Sequence, residues 1–165
     1  MGEPVDRADW EAVAAQLGRP PRALRSVAHR CACGLPSVVR TDPRLADGTP
    51  FPTLYYLTCA RLTGLVSRIE AGGVMREMTD RLARDPELAR AYRAAHESYL
   101  AERDTVAPLG TQVSAGGMPD RVKCLHALVA HALAVGPGVN PFGDETLANI
   151  GDWWTPTPCV PYSAG

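Results

Sequence analysis

The chain has 165 residues, 45% hydrophobic and 21% charged, the balance of one globular domain large enough to bury its own core. Its formal net charge of −1 excludes the overall basic field that would draw it to nucleic acid or an anionic membrane surface. No apolar run is long enough to span a bilayer, and Met1-Gly2-Glu3-Pro4-Val5-Asp6 lacks the basic and apolar regions of a secretory leader.

Asp6 to Leu17 reads as an amphipathic helix, with Trp10, Val13, Ala14 and Leu17 at helical spacing and Gly18 as its stop. Arg19-Pro20-Pro21 breaks the chain, and a short helical turn is expected through Val27. Cys31 to Pro36 is a loop by composition, leading to a β-branched stretch, Ser37 to Thr41. Asp42-Pro43 and Asp47-Gly48-Thr49-Pro50 are turn signals, and Thr53 to Thr58 has the composition of a second strand. The two stretches pair as an antiparallel hairpin with a long connection.

Helices are expected beyond it. Arg61–Ala71 carries Leu62, Leu65, Val66 and Ile69 on one face, and Gly72-Gly73 separates it from Val74–Ala83. Asp85-Pro86 is a helix start, with Asp85 as N-cap, and the helix runs to about Arg103. On its polar surface His96 is expected to meet solvent. A loop over Ala107–Gly117 precedes the strongest helix, Pro119–Val135, and a short one is expected over Asp144–Ile150. The fold class is therefore α+β: a mainly helical single domain over residues 1–154 with a small antiparallel hairpin or sheet. Residues 155–165 form a proline-rich tail expected to be flexible.

In the cytoplasm, the expected location, five cysteines are reduced thiols, metal ligands or catalytic groups rather than disulfides. Cys31 and Cys33 share one loop in a spacing that grips a zinc ion or an iron–sulfur cluster. Cys59 follows the second strand and Cys124 lies in the strongest helix, so the four can meet at one centre. At about 100° per residue, a regular helix points His126 away from Cys124 and sets His131 about 10 Å from it along the axis. Neither histidine then joins Cys124 on one ion. Unliganded structural thiols and a reactive catalytic thiol stay open as alternatives, and His131 reads as a core histidine.

Lys123 is the only lysine beside sixteen arginines. Gly116 and Gly117 precede it, a pair that lets a backbone approach a ligand closely, and the amides of a helix start favour an anion. Arg121 and Lys123 would add charge to such an anion site, holding a carboxylate or phosphorylated ligand. Cys124, with a lowered pKa, or His126 would supply nucleophilic or acid–base chemistry there. Lys123 is not interchangeable with arginine in that role. Trp153-Trp154 is a packing anchor or, if exposed, a surface for a protein partner.

Three segments carry a resemblance: His29-Arg30-Cys31-Ala32-Cys33-Gly34-Leu35-Pro36, Ala46 to Cys59 with its Asp47-Gly48-Thr49-Pro50-Phe51-Pro52-Thr53-Leu54-Tyr55-Tyr56 core, and Arg121 to His131 followed by Asn140-Pro141. Ser67-Arg68-Ile69-Glu70 fits the same pattern. Over about residues 29 to 147 the chain resembles the bacterial domain of unknown function 501, in its actinobacterial type. The resemblance implies a cytoplasmic housekeeping role and assigns no activity. The leading expectation is a metal-binding protein, zinc before an iron–sulfur cluster, using Cys59, Cys124 and one or both of Cys31 and Cys33. An enzyme for a small anionic substrate and a non-catalytic interaction module are the alternatives.

Overall fold

The computed structural model describes residues 2–161. Its elements follow in the order β1 (Glu3–Pro4), α1 (Arg7–Leu17), β2 (Leu24–Arg30), β3 (Pro36–Thr41), β4 (Tyr55–Leu57), α2 (Ala60–Ala71), α3 (Val74–Arg84), α4 (Pro86–Val106), α5 (Leu125–Val135) and α6 (Pro141–Ile150). The class is α+β, as the pattern predicts.

Four strands form one antiparallel sheet in the order β1-β2-β3-β4. The predicted hairpin is present as β3 and β4, with Val38 opposite Leu57 and Arg40 opposite Tyr55. The helical turn expected before Val27 is instead β2. Leu24-Arg25-Ser26-Val27 has no helix start signal, and pairing with β3 satisfies its backbone groups.

Local chemistry accounts for several helix ends. The Asp6 carboxylate accepts from the Asp9 amide at 2.8 Å, and Gly18 closes α1 in the left-handed region. Asp85 caps α4 through the Leu88 amide at 3.1 Å, with Pro86 in the first turn. Asn140 does the same for α6 through Gly143, so this helix starts three residues before the predicted Asp144.

The helix expected from Pro119 is the main departure, because it begins only at Leu125. The intervening amides turn back on the glycine pair: Arg121 N donates to the Gly117 carbonyl at 3.1 Å and Lys123 N to that of Gly116 at 2.7 Å. Val122 N donates to Thr79 Oγ1 at 2.9 Å. Gly116, seven residues back from Lys123, and Thr79 on α3 take amides that a helix from Pro119 would have paired four residues back.

One apolar core joins β3, β4 and the helices through Val38, Leu57, Leu62, Met78, Tyr92 and Leu128, among others. His131 is fully buried in it, stacked on Tyr55 and edge-on to Tyr99, with Nδ1 3.2 Å from Asn140 Nδ2. His96, expected at the surface, is also buried and bonds Ser114 Oγ at 2.7 Å. Docking of the 107–117 loop covers that part of α4. Arg103, fully buried, fastens the loop by donating to the carbonyls of Val113 and Thr111.

Helices α5 and α6 cross so closely that a Cβ on Gly143 would press into the Leu128 carbonyl oxygen and lie 2.7 Å from Ala132 Cβ. Gly143→Ala is expected to cost about 1–3 kcal/mol by overpacking. Urea denaturation should show a lower midpoint at unchanged slope; an unchanged midpoint would mean that the crossing is slack.

Candidate functional site

Helices α2 and α5 build the site between them. Because α5 starts at Leu125, Cys124 is its N-cap and takes an extended backbone, φ −151° and ψ 106°. The regular-helix geometry that points Cys124 and His126 apart therefore does not apply. The Cys124 sulfur, a His126 ring nitrogen and a Glu70 carboxylate oxygen lie within 4.8 Å of one another. Among the described residues this is the one place where three such ligand atoms converge so tightly.

Glu70, in the last turn of α2, has its carboxylate fixed on both oxygens. Oε2 accepts from the Leu125 amide at 2.9 Å, capping α5, and Oε1 lies 3.1 Å from His126 Nδ1. His126 Nε2 is 3.2 Å from the Thr63 carbonyl and 3.1 Å from Ser67 Oγ. Ser67 gives its own proton to the Thr63 carbonyl at 2.9 Å. Both neighbours of Nε2 are thus acceptors, and Nε2 carries a proton. Nδ1 then faces the Glu70 carboxylate with a lone pair, a repulsive arrangement unless a second proton or a cation sits between them.

The ionisation of the pair follows. Hydrogen bonding to His126 lowers the Cys124 thiol from its ordinary range, assisted by the Ala127 amide and opposed by burial and Glu70. His126 is raised, first by Cys124 and then by Glu70, against its own partial burial.

Cys124 and His126 line a cavity of about 650 Å³ with Thr63, Gly64, Tyr55 and Tyr56. Its walls are mostly apolar, with Gln16, Thr53 and Thr58 on one side and Thr63, Cys124 and His126 at the α2–α5 edge. A larger hollow of about 850 Å³ lies elsewhere, where Arg84, Arg90 and Arg93 stand beside Asp80 and Asp120. Opposite charges are mixed on its open surface and no nucleophile or ligand set converges there, so the smaller cavity is the better candidate.

The other predicted residues are placed differently. Cys124 does not join Cys31, Cys33 and Cys59; those three lie with Cys159 near the start of α2. Sequence reading set Cys159 apart in the tail, yet residues 155–161 run back against the domain and Cys159 packs on the core. Gly116 and Gly117 both have positive φ, 66° and 92°, and serve packing. A Cβ on Gly116 would lie 2.6 Å from Leu128 Cδ2, and one on Gly117 2.7 Å from the Arg121 carbonyl. The amides expected to face an anion are already bonded to Gly116 and Glu70. Lys123 and Arg121 are exposed and do not line the cavity. His29 bonds Ser37 Oγ at 2.6 Å. Trp153 packs on the core while Trp154 is 41% exposed.

Residues 27–148 match the family described as "Protein of unknown function (DUF501)". The chain belongs to this family. The matched span contains Glu70, Cys124 and His126 and leaves Gln16 and Cys159 outside it. No curated protein and no solved structure matches the chain. No helix of the described residues is long and apolar enough to cross a membrane. Sequence reading missed Glu70 as a site residue, although its segment carried part of the family resemblance; no local spacing links it to a helix that lies more than fifty residues away in the chain.

The His126 contact predicts a pH signature in metal-stripped protein. A lowered thiol is deprotonated above its own pKa, so Cys124 should react with iodoacetamide below the ordinary thiol pH range. His126→Asn should move that rate profile to higher pH. Peptide-resolved mass spectrometry separates Cys124 from the other thiols, and identical profiles in the two proteins would refute the coupling.

Proposed function

We propose that this protein binds a transition metal, zinc before others, through Glu70, Cys124 and His126, and presents it to a ligand in the adjoining cavity. The observation that carries this reading is the convergence of three lone-pair-bearing atoms within 4.8 Å, with the far nitrogen of the imidazole tied to a carbonyl. A metal-ligating histidine characteristically donates its other N–H to such an acceptor. Thiolate, imidazole and carboxylate together suit zinc, and three protein ligands leave a fourth position for water or substrate. With the cavity on that side, the ion would act as a Lewis acid or lower the pKa of a bound water. The cysteine-ligated ion expected from the sequence is thus retained with a different ligand set, Cys124 remaining and the other three thiols leaving.

A second reading is favoured by the opposed shifts of Cys124 and His126. Without metal, a thiolate beside an imidazolium is a nucleophile with a proton donor next to it. Glu70 would then hold the imidazolium at Nδ1. Lys123 and Arg121, exposed on the same segment, would attract an anionic substrate toward the cavity.

Elemental analysis of protein purified without chelator tests the first reading. The wild type is expected to retain zinc, and Cys124→Ser and Glu70→Gln to lose it; the glutamine amide keeps an oxygen to cap α5, so folding is preserved. Ser67→Ala, which removes one acceptor from Nε2, should weaken zinc binding by about tenfold. A wild type that neither retains nor takes up a transition metal removes this reading and leaves the thiolate–imidazolium pair.

A further inference from the structure

The other four thiols lie at the opposite end of α2, around its N-terminus. Cys59 is the N-cap of the helix and is fully buried. Cys159 arrives from the C-terminal segment, where Arg61, in the first turn of α2, holds the chain by donating to the Thr157 carbonyl at 2.7 Å, Thr157 Oγ1 at 3.0 Å and the Pro158 carbonyl at 3.0 Å. Gln16 Nε2 donates to Cys159 Sγ at 3.4 Å and to the Pro36 carbonyl at 2.6 Å, linking that sulfur to α1 and β3. The Ala60 amide and the Cys59 thiol lie beside that sulfur. Cys31 and Cys33 stand alongside, the Cys33 amide 3.5 Å from the Cys31 sulfur.

A side-chain amide donor, a helix N-terminus and a nearby guanidinium all favour negative charge on this sulfur. The neighbouring Cys59 thiol has the largest effect, and together with Gln16 and Arg61 it lowers the Cys159 thiol from its ordinary range against the opposing effect of burial. Cys59 itself is pushed far up. The two also differ in place: Cys159 is partly exposed and accepts from Gln16, whereas Cys59 is buried beside it. Cys31 is also raised, by burial first.

Among the described residues, no three of these sulfurs approach one another as closely as the Glu70–Cys124–His126 atoms do. A paired thiol reaction fits this cluster better than a preformed tetrahedral ion site.

We propose that Cys159 is a hydroperoxide-reactive thiol and Cys59 its resolving partner, so that oxidation joins the C-terminal segment covalently to the start of α2. In the first step the Cys159 thiolate attacks one peroxide oxygen and the O–O bond breaks. Hydroxide leaves from hydrogen peroxide, or alkoxide from an organic hydroperoxide, and the sulfur becomes a sulfenic acid. The sulfur loses two electrons and the peroxide gains them. In the second step the Cys59 sulfur attacks Cys159 and the S–O bond breaks. The Cys59 proton passes to the departing hydroxyl, which leaves as water, and the disulfide forms. Neither step uses the residues of the proposed metal site.

The test treats the full chain, reduced and then freed of reductant, with hydrogen peroxide near one equivalent. Mass spectrometry of a non-reducing digest should show a loss of two hydrogens and a peptide linking positions 59 and 159. With Cys59→Ser, dimedone should trap a sulfenic acid on Cys159. Dimedone labelling of the wild type at short times keeps the test decisive if the Cys59 variant fails to fold. First oxidation at Cys31, Cys33 or Cys124 would overturn the proposal. So would a dominant Cys31–Cys33 link, or a metal ion that Cys159→Ser releases and His126→Asn does not.

Discussion

The Glu70 carboxylate is the constraint on which the arrangement of this molecule turns. Helix α5 begins with unpaired amides, and a carboxylate at that end is favoured by both hydrogen bonding and the helix dipole. Glu70 satisfies the Leu125 amide with one oxygen and holds the His126 ring with the other. The same contact therefore sets where α5 starts, fixes α2 against it and orients the imidazole. With the helix starting at Leu125, Cys124 turns into an extended conformation and its sulfur meets the other two groups.

Behind this site the core is more polar than an apolar composition suggests. Tyr99 gives a hydroxyl 2.5 Å from the Leu54 amide, Tyr55 donates to Glu102, and Arg40 donates to the Glu102 carbonyl. His131 lies between the two tyrosine rings, and its burial lowers its pKa to about 4. A neutral imidazole is the form such surroundings admit. These bonds join α4 to β3, to β4 and to Leu54 just before it, so the strand that lines the cavity is held from behind by the longest helix. Arg103 extends the attachment to the 107–117 loop, whose end delivers the chain to the glycine turn and then to Cys124.

Helix α2 thus carries different sulfur chemistry at its two ends. At its C-terminal end a thiol is paired with an imidazole and a carboxylate beside a cavity. At its N-terminal end a thiol accepts from a side-chain amide, beside a second thiol and an arginine. The single lysine does not line the cavity. Lys123 is exposed on the segment between the glycine turn and α5, and its position follows from that turn: a Cβ on Gly117 would meet its Cγ at 3.0 Å.

The sequence alone determined what rests on local chemistry. Asp6, Gly18, Asp85 and Pro86 mark helix ends because caps and φ restrictions act within a few residues. The β3–β4 pair was legible from β-branched and aromatic composition, and His131 as a core histidine from its apolar neighbours. Tertiary structure decided whatever depends on distant partners. Leu24–Arg30 became a strand because β3 accepts it, and His96 was buried because a loop folds over it. Pro119–Lys123 left the helix because Thr79 took the Val122 amide and Gly116 that of Lys123. The same cause separated the thiols: with Cys124 as an N-cap beside Glu70 it entered a set with His126, and Cys159 joined Cys31, Cys33 and Cys59. Residue identities marked the chemistry available, but only packing brought particular side chains together, because contact between residues far apart in the chain leaves no local period to read.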